Sequence, residues 1–298
     1  MKITNLDDVH GIAVGAVFQH GLVGTNVDEI RRYAQGVEAI GLTQLVVYDH
    51  VLGVGLGTRP GWTGPYSEED AFHEPLTLFA FMAGITERLE FATCVLVLPQ
   101  RQTALVAKQA AQVQIVSGGR FRLGVGTGWN VTEYEALGVP FERRGARLDE
   151  QIAVLRGLWS QPTVNLSGEF HHIDDAGINP LPATPIPIWV GGSASHRVRE
   201  RIARLADGWM VPRLERGPAA EVAADLRRIC EQHGRDPNTL GIEARLYLGQ
   251  VPRSRWQEEA HQWAAIGASR LNLITDGMGL STVQQELEVL ADAATAIG

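Results

Sequence analysis

The chain has 298 residues, of which 45% are hydrophobic, enough to bury a large core. It carries 26 basic and 34 acidic residues, a net charge of -8 at pH 7, and no basic run exceeds two residues, which excludes electrostatic binding of nucleic acid and favours a small-molecule partner. The two cysteines, Cys94 and Cys230, exclude a disulfide framework and a cysteine metal site, so we expect a cytoplasmic protein. Asp7 and Asp8 stand where a signal peptide has basic residues, and no apolar run reaches membrane-spanning length.

Eight apolar, β-rich runs alternate with segments whose apolar residues have helical spacing. The runs are 12–18, 42–48, 89–98, 120–127, 186–190, 208–211, 242–248 and 270–275. This alternation predicts parallel strands joined by crossover helices, and eight such units predict an α/β fold of the (β/α)8 TIM barrel type. We expect residues 1–298 to form this barrel as a single domain.

Two segments interrupt the alternation. A long Gly- and Pro-rich loop, 51–67, follows the second strand and contains Trp62, and its length is typical of a lid or substrate wall. Segment 163–173 has two short alternating runs about a Ser167-Gly168 turn, which predicts a β-hairpin insertion before the fifth strand. His171 and His172 are adjacent and face opposite sides of that hairpin, so we expect a solvated face there and no metal site.

The second strand ends on Asp49 and His50. A strand buried on both faces tolerates charge only at its carboxyl end, which is where α/β folds build their sites. Two interpretations remain open from the residues alone: a catalytic pair, or a loop-capping aspartate beside a half-exposed histidine.

Glycines mark two further strand ends. Gly124, Gly126 and Gly128 alternate in segment 120–130, either for close approach of the backbone to a ligand or for a tight barrel corner. The acid that a dinucleotide site needs about twenty residues later is missing, because that region is helical.

The fifth strand runs into Gly191, Gly192, Ser193 and Ala194, ahead of a predicted helix at 197–205. Free amides at such a position bind an anion such as a cofactor phosphate. The alternative is a plain helix cap by Ser193 or Ser195.

Taken together, the Asp49-His50 strand end and segments 94–99, 123–130 and 189–193 resemble the luciferase-like monooxygenase superfamily, and more narrowly its F420-dependent, deazaflavin oxidoreductases. The resemblance covers nearly the whole chain. It implies a barrel that binds coenzyme F420, or FMN in other branches, with the ring system at the carboxyl ends of the strands. It also implies a homodimer.

The resemblance assigns cofactor contacts residue by residue. The matching positions are Asp49, His50, Cys94, Val95, Thr127, Gly128, Gly191, Gly192, Ser193 and Ala194. It implies a non-proline cis peptide at Cys94-Val95, which forms a bulge against the ring. It also implies that the glycines, Ser193 and Ala194 after the fifth strand hold the phosphate, and that Asp49 and His50 flank the reacting carbon.

Deazaflavin moves electrons as hydride pairs, so the resemblance implies hydride transfer to or from a small organic substrate, either an alcohol or carbonyl or an activated double bond. His50 would exchange a proton with the substrate heteroatom, and Asp49 would orient its imidazole. The alternatives are an FMN-dependent monooxygenase served by a separate flavin reductase, and a cofactor-binding protein without turnover. The presence of His50 argues against the last of these.

One position departs from the family's sugar-phosphate dehydrogenases, which carry a glutamate directly after Gly-Thr-Gly where this chain has Trp129. Sugar-phosphate oxidation is therefore in doubt. Trp129, Trp62 and Phe18 instead predict an apolar substrate cleft, although each is also explained as a core aromatic. Glu133, one turn into the next helix, is a candidate replacement for the missing acid.

Overall fold

The computed structural model describes residues 11–58, 61–192 and 195–298. Its strands are β1 (Ala13–Val17), β2 (Gln44–Val47), β3 (Glu90–Thr93), β4 (Leu96–Val97), β5 (Phe121–Gly126), β6 (Val164–Ser167), β7 (His172–Ala176), β8 (Ile188–Gly191), β9 (Gly208–Met210), β10 (Gly241–Tyr247) and β11 (Arg270–Ile274). Its helices are α1 (His20–Val23), α2 (Val27–Ile40), α3 (Pro75–Ala83), α4 (Thr103–Val116), α5 (Val131–Ala136), α6 (Arg144–Ser160), α7 (His196–Leu205), α8 (Arg216–Gln232), α9 (Trp256–Ile266) and α10 (Val283–Ile297).

The main sheet closes into a parallel barrel. Its strands follow the order β3, β2, β1, β11, β10, β9, β8, β5 and β4, and a pairing between β3 and β5 completes the ring. The predicted third run, 89–98, is split into β3 and β4 on either side of the Cys94-Val95 peptide, which is cis. Eight barrel positions are therefore filled, and the predicted (β/α)8 architecture is confirmed. No helix in the described ranges combines the length and apolarity needed to cross a bilayer.

The hairpin insertion is present as β6 and β7, which pair antiparallel. Its turn is longer than predicted, because Ser167 pairs with His172 and the Gly168 amide donates to the His171 carbonyl. His171 is not on a solvated face: its Nδ1 lies 2.7 Å from Glu150 Oε1 and its Nε2 lies 2.6 Å from Thr103 Oγ1. Only His172 is exposed, so His171 fastens the hairpin to α6 and α4.

Polar side chains fill the amino-terminal half of the barrel interior. Arg122 Nη1 donates to Glu243 Oε2 at 2.7 Å and Arg122 Nη2 to Gln44 Oε1 at 2.9 Å, and all three residues are buried. The Arg122 guanidinium also lies 4.5 Å from the centre of the Trp189 ring. A buried charge is tolerated only when it is paired in this way. These side chains thus fill the amino-terminal part of the lumen, and the cavity described below opens at the carboxyl end.

Glu286 carries a titratable group in the core. It lies in the first turn of α10 with both carboxyl oxygens 2.7 Å from Thr275 Oγ1. Burial raises the pKa of Glu286 to about 7, and the hydrogen bond from Thr275 offsets only part of that rise. Since the folded protein then holds this proton more tightly than the unfolded chain, the Glu286 contribution to stability grows as pH falls from about 7 towards the ordinary value of 4.5.

We therefore expect Glu286→Gln to remove a pH-dependent penalty. Relative to the wild type, the free energy of unfolding of the variant rises by about 2 to 3 kcal/mol between pH 5 and pH 8, measured by urea denaturation. Glu288→Gln, at an exposed position on the same helix, is the control. A pH-independent difference between Glu286→Gln and the wild type contradicts the buried titration.

Candidate functional site

A cavity of about 340 Å³ opens at the carboxyl end of the barrel. It is lined by Tyr48, Asp49, His50, Pro65, Tyr66, Cys94, Val95, Val97, Gly128, Trp129, Arg213, Arg245, Tyr247 and Asp276. These residues come from the ends of several barrel strands and from the long loop after β2, which is the usual construction of a site in this architecture.

The Cys94-Val95 bulge forms one wall of the cavity, and two glycines make room for it. A Cβ on Gly126 would lie 2.5 Å from Val95 Cγ2, and one on Gly191 would lie 2.8 Å from Val95 Cγ1. Gly128 has a φ of +64°, and a Cβ there would lie 2.5 Å from Val97 Cγ1. The predicted tight corner therefore exists, and it fixes the bulge against the neighbouring strands.

Two other predicted cofactor contacts lie close by. Thr127 begins the loop after β5, and its carbonyl accepts a 2.7 Å hydrogen bond from the Tyr134 hydroxyl. Gly192 follows β8, and its carbonyl accepts from Trp209 Nε1 at 2.7 Å. Ser195 then caps α7, its Oγ accepting from the Val198 amide.

The remaining two predicted phosphate contacts, Ser193 and Ala194, lie outside the described residues. The phosphate role assigned to this segment stays a prediction.

The partner of His50 is Glu133. Glu133 Oε1 lies 3.3 Å from His50 Nδ1 and accepts hydrogen bonds from the Val51 amide at 2.7 Å and the Leu52 amide at 3.1 Å. The Glu133 side chain is 1% exposed and that of His50 is 12% exposed. Glu133 thus lies behind the histidine rather than on the substrate side where the sequence suggested it, and it leaves His50 Nε2 as the ring atom available to a ligand.

The environment of Glu133 favours its ionised form. Burial alone raises the pKa of this carboxyl, but the hydrogen bonds from His50, Leu52 and Val51 outweigh burial and hold the pKa below its usual range. An anion that accepts from His50 Nδ1 fixes both the orientation of the imidazole and the tautomer that carries its proton on Nδ1.

Asp49 does not orient His50, contrary to the sequence interpretation. Its Oδ2 accepts from the Val97 amide at 2.9 Å and its Oδ1 from Arg101 Nη2 at 2.7 Å. Burial raises the pKa of Asp49, and the Arg101 charge and the Val97 hydrogen bond oppose that rise. Neighbouring side chains of an extended segment point to opposite sides, so Asp49 ties the end of β2 to β4 while His50 faces the loop.

Aromatic rings surround His50. The centroids of Tyr66, Phe72 and Trp129 lie 5.0, 4.8 and 5.5 Å from the imidazole centroid. Trp62 stands one layer further out, 5.9 Å from the Trp129 ring, and its Nε1 donates to the Tyr66 carbonyl at 3.0 Å. The predicted aromatic wall is therefore built by Trp129 together with the loop, and Trp62 supports it.

Phe18 belongs to the core instead of the cleft. It is 1% exposed and packs edge-on against Tyr33 at 5.4 Å and His20 at 5.1 Å. The structure therefore supports the alternative interpretation, in which Phe18 is a core aromatic.

Sequence reasoning missed three polar cavity residues, Arg245, Tyr247 and Asp276, and for Arg213 it left open a charge that balances an acidic cofactor tail or a solvated surface position. A signal was available for two of them, because Arg245 and Tyr247 alternate with apolar residues along β10 and so share the face that points into the barrel. Arg213 and Asp276 follow the ends of β9 and β11, where a single sequence offers no comparable pattern.

Comparisons of this sequence with known proteins identify related chains. Residues 9–294 match the family described as luciferase-like monooxygenase. An uncharacterised protein of Mycobacterium tuberculosis is 40% identical over 176 residues, 59% of this chain and 60% of that protein. The pyrimidine monooxygenase RutA of Escherichia coli is 35% identical over 209 residues, 64% of this chain and 56% of that protein. These matches thus span 60% or less of the relatives' own length.

A solved structure of an F420-dependent secondary alcohol dehydrogenase, in complex with an F420-acetone adduct, superposes with a TM-score of 0.74. The superposition covers 96% of this chain and 99% of that one. At 13% identity, this likeness concerns the fold.

The position of Asp49 generates a stability prediction. Asp49→Asn removes the nearer and more buried of the two carboxylates that pair with the half-buried Arg101 guanidinium, so we expect the free energy of unfolding to fall by about 1 to 3 kcal/mol. Glu74→Gln, which removes the more exposed partner of Arg101, is the matched control and should cost less. Equal stability of Asp49→Asn and the wild type in chemical denaturation would mean that Asp49 does not hold β4.

Proposed function

We propose, since the chain belongs to the luciferase-like monooxygenase family, that it is an oxidoreductase that transfers a hydride between coenzyme F420 and a small organic substrate. The observation that carries this proposal is the His50–Glu133 pair at the edge of the cavity. Hydride transfer to a carbonyl or from an alcohol needs a matching proton transfer at the oxygen, and a histidine backed by a carboxylate is suited to supply it.

The residues around the cavity fit a flat ring system. Cys94 and Val95 form one wall of the cavity, and Tyr66 and Trp129 line the same space of about 340 Å³. Gly128 lets the backbone approach a ligand closely. We infer that these residues would hold the deazaflavin ring and that Gly191 and Gly192 would accompany its phosphate.

The protein's own part in the reaction is binding and proton transfer. When bound, the deazaflavin supplies or accepts the hydride. His50 Nε2 gives a proton to the oxygen of a carbonyl substrate, or takes one from the oxygen of an alcohol in the opposite direction. Glu133 holds Nδ1–H in both directions and stabilises the imidazolium form, and the loop aromatics exclude water around it.

A second candidate is an FMN-dependent monooxygenase that receives electrons from a separate reductase. The identity of 35% to RutA, whose name describes a pyrimidine monooxygenase, favours it. Both cofactors carry a flat tricyclic ring, so the choice of cofactor decides between the two functions.

Cofactor choice is tested by titrating the purified protein with coenzyme F420 and, in parallel, with FMN. Binding is followed through cofactor fluorescence and through quenching of Trp129 and its neighbours. We expect the deazaflavin to bind and to be reduced or oxidised in the presence of alcohols or activated carbonyls. Selective binding of FMN, with oxygen uptake in the presence of a flavin reductase, would overturn the hydride-transfer proposal.

The role of His50 gives a further expected outcome. His50→Ala should lower kcat by roughly 100- to 10,000-fold, because it removes the group that moves the proton, while the dissociation constant of the cofactor changes by less than about threefold. Stopped-flow absorbance and fluorescence titration measure the two quantities. An equal loss of binding and turnover would assign His50 to cofactor binding instead.

Glu133 acts through His50 and is a positioning residue. Glu133→Gln should lower kcat by roughly tenfold or more with KM nearly unchanged, since the imidazolium loses its anionic partner. Glu135→Gln, an exposed change on the same helix, is the control and should leave both constants unaltered. A rise in KM without a fall in kcat would contradict the role of Glu133 in proton transfer.

A further inference from the structure

Two cations line the cavity that contains His50 without an acidic partner among the residues that the structure describes. Arg213 follows β9 and Arg245 lies near the end of β10, and both border the cavity that contains His50. Within the described ranges, neither guanidinium has a carboxylate oxygen within 4.0 Å, although Asp276 lines the same cavity. A neighbouring cation, Arg216, differs, because its Nε lies 3.0 Å from Glu259 Oε2.

The environment of Arg245 makes the lack of a nearby carboxylate unfavourable in free energy. Arg245 is half-buried, its Nη2 lies 2.9 Å from Cys94 Sγ, and its guanidinium faces the Tyr48 ring at 5.7 Å. Burial raises the pKa of the Cys94 thiol, so the sulfur is neutral and does not compensate the arginine. A partly desolvated guanidinium without an anion is unfavourable, and such groups commonly wait for an anionic ligand.

A second cavity widens the space available to a ligand. It measures about 870 Å³, lies between the starts of α8 and α9, and shares Arg213, Arg245 and Tyr247 with the catalytic cavity. The Arg213 guanidinium lies 5.3 Å from the centre of the Tyr247 ring. Arg213 and Arg245 therefore stand at the junction of the two cavities, and each guanidinium lies near a different tyrosine ring.

We propose that Arg213 and Arg245 bind the carboxylate of an organic acid substrate whose reacting carbon lies towards His50. This inference deepens the proposed function and rests on it. A guanidinium presents a fork of donors that matches a carboxylate, and two of them at one junction hold it firmly. Asp276 disfavours a doubly charged phosphate at the same place, so a single carboxylate fits the cavity better. The aromatic residues alone suggested a purely apolar substrate, whereas a substrate held by these two arginines also carries a carboxylate.

The test uses two probes of the same shape, benzoate and its neutral analogue benzamide. Isothermal titration calorimetry on the cofactor-free protein at low salt should give benzoate at least a roughly tenfold lower dissociation constant than benzamide. Arg245→Gln and Arg213→Gln should each reduce that ratio to below about threefold. Arg228→Gln, which changes an exposed arginine paired with Asp225 on α8, should preserve it.

The charge-conserving variant Arg245→Lys keeps the test decisive if Arg245→Gln does not fold. It should retain a preference for benzoate, and thermal denaturation checks that each variant is folded. Arg213 is exposed, so its replacement by glutamine leaves the core intact. Equal affinity of the wild type for benzoate and benzamide would overturn the proposal.

The cofactor also carries anionic groups, and a parallel titration separates the two sources of charge. Coenzyme F420 and FMN are titrated into the same variants. A weakening of cofactor binding by about tenfold, with an unchanged ratio of benzoate to benzamide, would overturn the proposal and assign the arginines to the cofactor. Because the probes bind the cofactor-free protein, a lack of turnover with either cofactor would refute hydride transfer and leave this result standing.

Discussion

The buried Glu133 carboxylate is the interaction on which the candidate site depends. One of its oxygens accepts from two consecutive amides at the start of the long loop and faces His50 Nδ1. The Glu133 side chain on α5 therefore fixes the path by which the chain leaves β2 and the orientation of the His50 imidazole. It thereby also fixes where the aromatic residues of the loop lie. Because the group is almost fully buried, its charge is stabilised only while all of these donors stay in place.

The barrel interior divides into two layers with different demands. In the amino-terminal layer, the Arg122 guanidinium donates to both Glu243 and Gln44, so its charge is balanced by a buried carboxylate. In the carboxyl-terminal layer, Arg245 has a thiol and an aromatic face as its neighbours. The fold thus pairs Arg122 with a carboxylate in the amino-terminal layer, whereas Arg245 has no carboxylate partner among the described residues at the place where we propose that a ligand binds.

The sequence was informative where a pattern has a fixed period. Alternation of apolar strands and amphipathic segments predicted all eight barrel positions and the hairpin, because burial of those faces leaves few alternatives. The resemblance to the family located the cis peptide at Cys94-Val95. The sequence predicts Asp49 as the partner of His50 because the two are adjacent, but adjacent side chains of an extended segment point apart, and Glu133 is the partner.

Side-chain direction and long-range contact explain what the sequence did not reveal. Glu133 is 83 positions from His50, and only the closure of the barrel brings α5 to the end of β2. The hairpin turn is longer than the local Ser-Gly preference predicts, and His171 within it contacts Glu150 on α6 and Thr103 on α4. Arg213 and Asp276 lie on loops with no periodic signal, so their meeting at one cavity is visible only in three dimensions.

The packing of Val95 has a consequence for how this chain can change over evolution. Its two methyl groups occupy the space that side chains on Gly126 and Gly191 would need, on two separate strands. Substitutions at these three positions are therefore coupled: a larger residue at either glycine becomes tolerable only after the residue at 95 has become smaller. Among descendants of this sequence, positions 95, 126 and 191 should therefore change together or stay unchanged. The shape of this cavity wall should then be conserved or altered as a whole.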